Sequence, residues 1–334
     1  MLSRLFFFLL LTTVTTPLAS GCTIPVFRFA LDRWDADRFE LRLPAGASQD
    51  AEMTDRLRPL RANGAGNLSI VTSKNPEQKQ AELRFPGEGS APLWTGDLNV
   101  ATLGAVLDSP ARQELRARIL AGESVVWVIA DSGTPEDMAQ RDRIEKRLLF
   151  LQQVAGLPIQ DPNDPDSQLG PGPPLKLAFT VLRVRRDDPA EAVFLKMLAG
   201  PKGNIDPTKT SFAAAIFGKG RVLGAWALDL LDDAALEDAC LFLVGRCSCR
   251  VKDQNPGWDI LMNVDWPKAL AEVSAKKPAV ETEPPAVAEP VIVKTEPAPV
   301  TPAPQGLSGK PYMLALVGVA LALVAILTMS KRRK

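Results

Sequence analysis

Apolar positions recur along this chain with three different periods, and each predicts a different kind of element. The longest uncharged apolar run, Tyr312 to Met329, has no polar face. As a helix it reaches about 27 Å, close to the hydrocarbon thickness of a bilayer, so residues 312–329 are expected to span a membrane. Lys331-Arg332-Arg333-Lys334 follows, and the positive-inside rule keeps that tail, residues 330–334, in the cytoplasm. At the other end Met1-Leu2-Ser3-Arg4 precedes the apolar block Leu5 to Leu11. This block is too short to span, and residues 1–21 have the order of a signal peptide. Everything between the ends is expected outside, on a single-pass cell-membrane protein facing the periplasm.

Shorter periods organise that exported region. Val26 to Trp34 and Asp50 to Ala62 read as helices, Phe39 to Leu43 and Leu68 to Thr72 as strands. Ser124 to Ala130 is a continuous apolar run, which predicts the buried centre of a sheet. Ser109-Pro110 and Thr134-Pro135 each place a capping hydroxyl before a proline, the pattern of a helix start. After the second, Ile144, Leu148, Leu151 and Ala155 recur at helical spacing. Further on, Leu177 to Val184 alternates as a strand and Asp188-Pro189 opens a helix through Leu198. Phe212 to Phe217 and Val222 to Leu228 form a hairpin, and Ala235 to Val244 a last helix.

Two segments break the periodicity. Gln160 to Pro174 is dense in proline, glycine and aspartate and reads as a linker. Lys276 to Lys310 has proline every few residues and reads as an extended, polyproline-biased stalk. The expected division is an α/β domain over 22–159, a linker over 160–174, a second α/β domain over 175–272, and a disordered stalk over 273–311. The fold class is therefore α/β, in two small halves.

Composition narrows the chemistry. With 46% hydrophobic and 23% charged residues the chain is globular in character. Lysine plus arginine equals aspartate plus glutamate at 39 each, so no net field draws polyphosphate, and nucleic-acid binding is not expected. Histidine is absent, which removes the commonest general base, the serine-histidine and cysteine-histidine machineries and histidine-ligated haem. No cofactor is called for, and the balance leans away from an enzyme.

Phe217-Gly218-Lys219-Gly220-Arg221 lacks the GxxxxGK[ST] spacing of a phosphate loop and reads as a hairpin turn. The cysteines are the main chemical lead. Cys240 lies on the last helix and Cys247-Ser248-Cys249 follows Gly245. A structural disulfide is the favoured reading in an oxidising compartment. A strained redox pair, or a soft-metal site built from Cys240, Cys247 and Cys249, stays open beside it. Leu18-Ala19-Ser20-Gly21-Cys22 resembles a lipobox, so Cys22 is a lipidation candidate; ordinary cleavage with Cys22 left as a thiol or disulfide partner is the alternative. Asp259 and Asp265 are a candidate acid/base pair, with surface or turn carboxylates the blander reading. Trp258 and Trp266 either cap the domain or form an exposed contact surface.

Cys22-Thr-Ile-Pro-Val-Phe-Arg-Phe-Ala-Leu-Asp-Arg-Trp34 and Phe242-Leu-Val-Gly-Arg-Cys-Ser-Cys-Arg-Val-Lys-Asp-Gln-Asn-Pro-Gly257 resemble the opening and closing blocks of uncharacterised exported proteins of planctomycete-type bacteria. That resemblance implies an intact exported module and no activity. The β-α-β-β-α order of the second half resembles the C-terminal portion of thioredoxin-like folds, without the C-x-x-C a redox member carries between strand and helix. The function expected is an interaction or accessory module of a membrane complex, whose partners are the membrane and another envelope protein. The alternative is a thiol-redox or soft-metal-handling protein using Cys240, Cys247 and Cys249.

Overall fold

A continuous apolar strand is costly unless both its faces and both its edges are covered, and the five-stranded sheet of this protein is built around one. The computed structural model describes residues 23–45, 51–61, 66–87, 91–161, 163–247 and 251–276. The signal peptide, Cys22, Cys249, the stalk beyond Lys276, the apolar segment 312–329 and the basic tail lie outside the described residues. Among the described residues no helix is long and apolar enough to cross a membrane.

The first sheet comes early in the chain. After α1 (Val26–Arg33), β1 (Phe39–Leu43), α2 (Ala51–Arg61), β2 (Leu68–Thr72), β3 (Ala81–Arg84) and β4 (Pro92–Gly96) form a four-stranded sheet in the order β2-β1-β3-β4. Helices α3 (Val100–Leu107) and α4 (Pro110–Leu120) lead to β5 (Val125–Asp131), followed by α5 (Pro135–Val154), β6 (Phe179–Arg185) and α6 (Ala192–Ala199). The hairpin β7 (Phe212–Phe217) and β8 (Arg221–Ala227), then α7 (Asp233–Val244), β9 (Trp258–Asp259) and α8 (Trp266–Ala275), complete the fold. The second sheet runs β6-β5-β7-β8-β9. In it β5 and β6 are parallel, while β7 is antiparallel to both β5 and β8.

All seven residues of β5 are buried. Val126, Val128 and Ala130 enter a core shared with the four-stranded sheet, α4 and α6. Val125, Trp127 and Ile129 enter a second core beneath α1, α5 and α7. The expectation of a buried central strand from Ser124 to Ala130 thus matches the fold, and it also explains where the expected domain division differs from it. β5 precedes the Pro/Gly segment and its hydrogen-bonded neighbours β6 and β7 follow it. Residues 160–174 are a return loop inside one sheet, where a linker between halves was expected.

That loop is held by α1. Arg28, 2% exposed, donates from Nη1 to the Pro173 carbonyl at 2.5 Å and from Nη2 to that of Gly170 at 2.7 Å. Its Nε lies 2.9 Å from Asp32 Oδ1, and Asp32 Oδ2 accepts the Gly170 N–H at 2.8 Å. Phe27, Phe29, Ala30 and Trp34 fill the second core. The opening block of the resemblance is therefore a structural clamp.

One boundary and one cap differ from expectation. α8 runs to Ala275, so a stalk beginning at residue 273 starts too early, because Trp266 and Leu270 on α8 bury themselves in the first core. Ser109 precedes α4 as expected, but its hydroxyl donates to Glu191 Oε2 at 2.6 Å, and Glu191 Oε1 accepts the Ala111 N–H at 2.8 Å. A buried carboxylate from a distant turn does the capping.

Candidate functional site

Strand direction decides where a site can form. β5 and β6 run together, and β8 shares their direction because β7 opposes both β5 and β8. All three end at the same edge, the position where open α/β sheets receive ligands. Helix α5 begins there. Thr134 is its N-cap, its side chain accepting from the Asp137 N–H at 3.3 Å, and Pro135 takes the first helical position.

Asp137 organises this edge. Its Oδ2 accepts the Ser132 N–H at 2.8 Å, the Ser132 hydroxyl at 2.5 Å and, from the loop entering β7, the Ser211 hydroxyl at 2.7 Å. Desolvation is the largest single influence on this carboxyl and acts to raise its pKa. The two hydroxyls, the Ser132 N–H and the Arg186 charge together outweigh it and hold the group below its ordinary 3.8. Asp131, fully buried at the end of β5, takes Arg183 Nε at 2.6 Å and Nη2 at 3.1 Å. Arg186 donates its backbone N–H to the Asp131 carbonyl at 2.9 Å, while its Nη1 is enclosed with no hydrogen-bond partner among the described residues.

These groups surround a cleft of about 420 Å³ lined by Ser132, Glu136, Gln140, Arg186, Lys209 and Ser211 among others. Chemically it offers the fixed Asp137 carboxylate with Glu136 and Asp229, hydroxyls, and the cations of Arg186 and Lys209. A carboxylate held below its ordinary pKa is a weak general base toward the serines beside it.

The cysteines lie elsewhere. Cys240 is 1% exposed in the second core, and burial pushes its thiol up to about 12. Cys247 is also buried, and its N–H donates to the Ile24 carbonyl at 3.1 Å. Cys22 and Cys249 fall outside the described residues. Among the described residues, no three His, Cys, Asp or Glu side chains come together in a metal-binding group.

Asp259 and Asp265 have separate jobs. Asp259, 4% exposed, accepts Lys252 Nζ at 2.5 Å, the Asp37 N–H at 2.6 Å and Arg221 Nη1 at 3.3 Å. It is a buried ion-pair centre, not a surface or turn carboxylate, because Arg221 and Lys252 bring compensating charge. Asp265 caps α8 through the Lys268 N–H at 3.1 Å. Trp258 donates Nε1 to the Met197 carbonyl at 2.8 Å and Trp266 is 6% exposed, so both close the domain. The Gly218-Lys219-Gly220 turn joins β7 to β8 as expected, and Lys219 Nζ donates to the Trp34 carbonyl at 2.9 Å.

Thr134-Pro135 marked the helix start in the sequence, but nothing there singled out Asp137, Ser211 or Arg186. They come together only through the pairing of β5 with β6 and β7. No protein-family model matches the chain, no curated protein matches it, and no solved structure matches its fold.

Proposed function

We propose that this chain is an exported, membrane-tethered binding module, built on a thioredoxin-like unit from β5 to α7 that carries no dithiol, and serving as an accessory to a neighbouring envelope complex. The observation that carries the reading is the helix-start site. Where a redox member places C-x-x-C, this chain has Thr134-Pro135-Glu136-Asp137, with Asp137 fastened by Ser132 and Ser211. A locked carboxylate offers a partner a fixed acceptor and exchanges no disulfide. The thiol-redox alternative is weaker, because Cys240 is enclosed and its pKa is raised to about 12, which suppresses the thiolate that would attack. The tether rests on the apolar segment 312–329 and its basic tail.

The test is site-specific photo-crosslinking in intact cells from Gln140 and Lys209, which line the cleft. A discrete partner adduct from both positions, lost in Ser211→Tyr, is the expected result. A chain that gives no adduct at native abundance, or that turns over dithiols at a rate dependent on Cys240, would overturn the reading.

A further inference from the structure

The end of the five-stranded sheet opposite the cleft carries exposed apolar side chains that packing does not use. α5 runs down from the cleft edge, and on its last turns Phe150 and Val154 are 48% and 60% exposed. α7 lies alongside in the same direction, with Arg147 paired to Glu237 at 2.5 Å. The equivalent step along α7 brings up Leu241, which is 47% exposed. The chain then continues through Ile159, 87% exposed. Leu149, beside Phe150 on α5, is 58% exposed as well. Single exposed apolar residues are ordinary, but five on one end of a fold mark a contact surface.

Both ends of the described chain converge on this same end. Gln160, next to Ile159, donates Nε2 to the Thr23 carbonyl at 2.9 Å, and the Thr23 N–H donates to Ser167 Oγ at 3.1 Å. Thr23 directly follows the lipidation candidate Cys22. The return loop also meets the last described helix, where Gly172 donates its N–H to Ser274 Oγ at 2.6 Å.

We infer that this end of the module, through Phe150, Val154, Ile159 and Leu241, seats on a lipid surface; the inference rests on the membrane-tethered reading above. Asp161 and Asp164 in the return loop are offset by the exposed Lys176 just after that loop and Arg246 just past α7, so the contact is apolar and calls for no anionic headgroup. Insertion is by apolar contact, with Arg147 stacked at 5.0 Å on the Phe150 ring able to keep its charge toward the headgroups.

The experiment uses the full chain in proteoliposomes, with a benzoylphenylalanine photo-crosslinker placed singly at Phe150, Val154 or Leu241. Leu230, 74% exposed just beyond β8 at the cleft end, is the control position. In phosphatidylcholine vesicles the three test positions should give lipid adducts at least fivefold above Leu230, with no need for phosphatidylglycerol. Equal yields, or adducts to a second copy or another protein in place of lipid, would overturn the inference alone. Loss of the chain from carbonate-washed membranes would instead overturn the tether reading, and the inference with it.

Discussion

Replacing Arg28 by methionine tests whether the return loop is part of one cooperative fold. Methionine keeps much of the side chain's apolar volume and removes the charge. In the wild type the Arg28 and Asp32 side chains are 3% and 0% exposed, and the guanidinium also holds two loop carbonyls, of Gly170 and Pro173. Breaking a buried pair from one side leaves the other charge uncompensated and costs about 3–5 kcal/mol. The two lost charge-assisted bonds overlap with that penalty, so about 4 kcal/mol is the expected total, roughly a thousandfold in the folding equilibrium. Urea unfolding followed by tryptophan fluorescence measures it, with Trp34 and Trp127 both in the second core as reporters. Asp32→Leu together with Arg28→Met should recover a substantial part of the loss, since no unpaired charge remains. A cost under about 1 kcal/mol, typical of surface changes, would refute the argument. So would two separated transitions, one for the residues before the loop and one for those after it.

Asp137→Asn should abolish the acid-sensitive part of stability at the cleft. A carboxyl held below 3.8 in the fold stabilises above its unfolded pKa and loses that contribution as pH falls through the folded value, so the gap between wild type and variant should close only on the acid side of 3.8 in titrations followed by circular dichroism. Cys240, with its thiol near 12, should resist iodoacetamide at pH 8 in the native state and react fully once unfolded; rapid native labelling seen by mass spectrometry would contradict its placement. Gly218→Ala should cost about 2 kcal/mol or more, because φ is +59° and the added Cβ would lie 2.7 Å from Ala30 Cβ, and a thermal melt unchanged within 1 °C would count against that contact. Glu191→Gln should lower stability by about 1–3 kcal/mol in the same urea assay, since the buried carboxylate that takes both the Ser109 hydroxyl and the Ala111 N–H loses its charge.

The sequence made single elements legible and pairings illegible. Periodicity located β1 and β2 at their observed limits and placed α5 and the β7–β8 hairpin, since each announces itself within a few residues. β3, β4, α3, β9 and α8 went unread. β3 and β4 are short, β4 begins at Pro92, and α8 abuts a proline-rich run that masks its apolar face. The return loop was misread for a physical reason: proline and glycine density reports that a segment lacks regular structure, not whether a buried arginine holds it. The same gap hid the cleft. Ser132 and Asp137 are near in sequence, but Ser211 reaches them only when β7 adds beside β5.

Sheet direction links the two proposed surfaces to one another. Because α5 and α7 both descend from the edge where β5, β6 and β8 end, the first turns of α5 and the Leu228–Asp229 segment leading to α7 line the cleft, and the helix ends carry the exposed Phe150, Val154 and Leu241. The parallel run of these helices is fastened at two levels, Arg143 with Asp233 and Arg147 with Glu237. Both pairs are partly exposed, so each is worth little by itself. Their value is geometric, since they keep the helices in register while Ile144, Leu148, Leu151, Leu236, Ala239 and Leu243 fill the core between them. If the lower end rests on lipid, the cleft is presented away from that surface by the length of α5, about 30 Å. A partner reached from there has to extend at least that far from the membrane. Cleft crosslinks should therefore fall on exported portions of a partner, and adducts to its transmembrane segments would contradict this geometry.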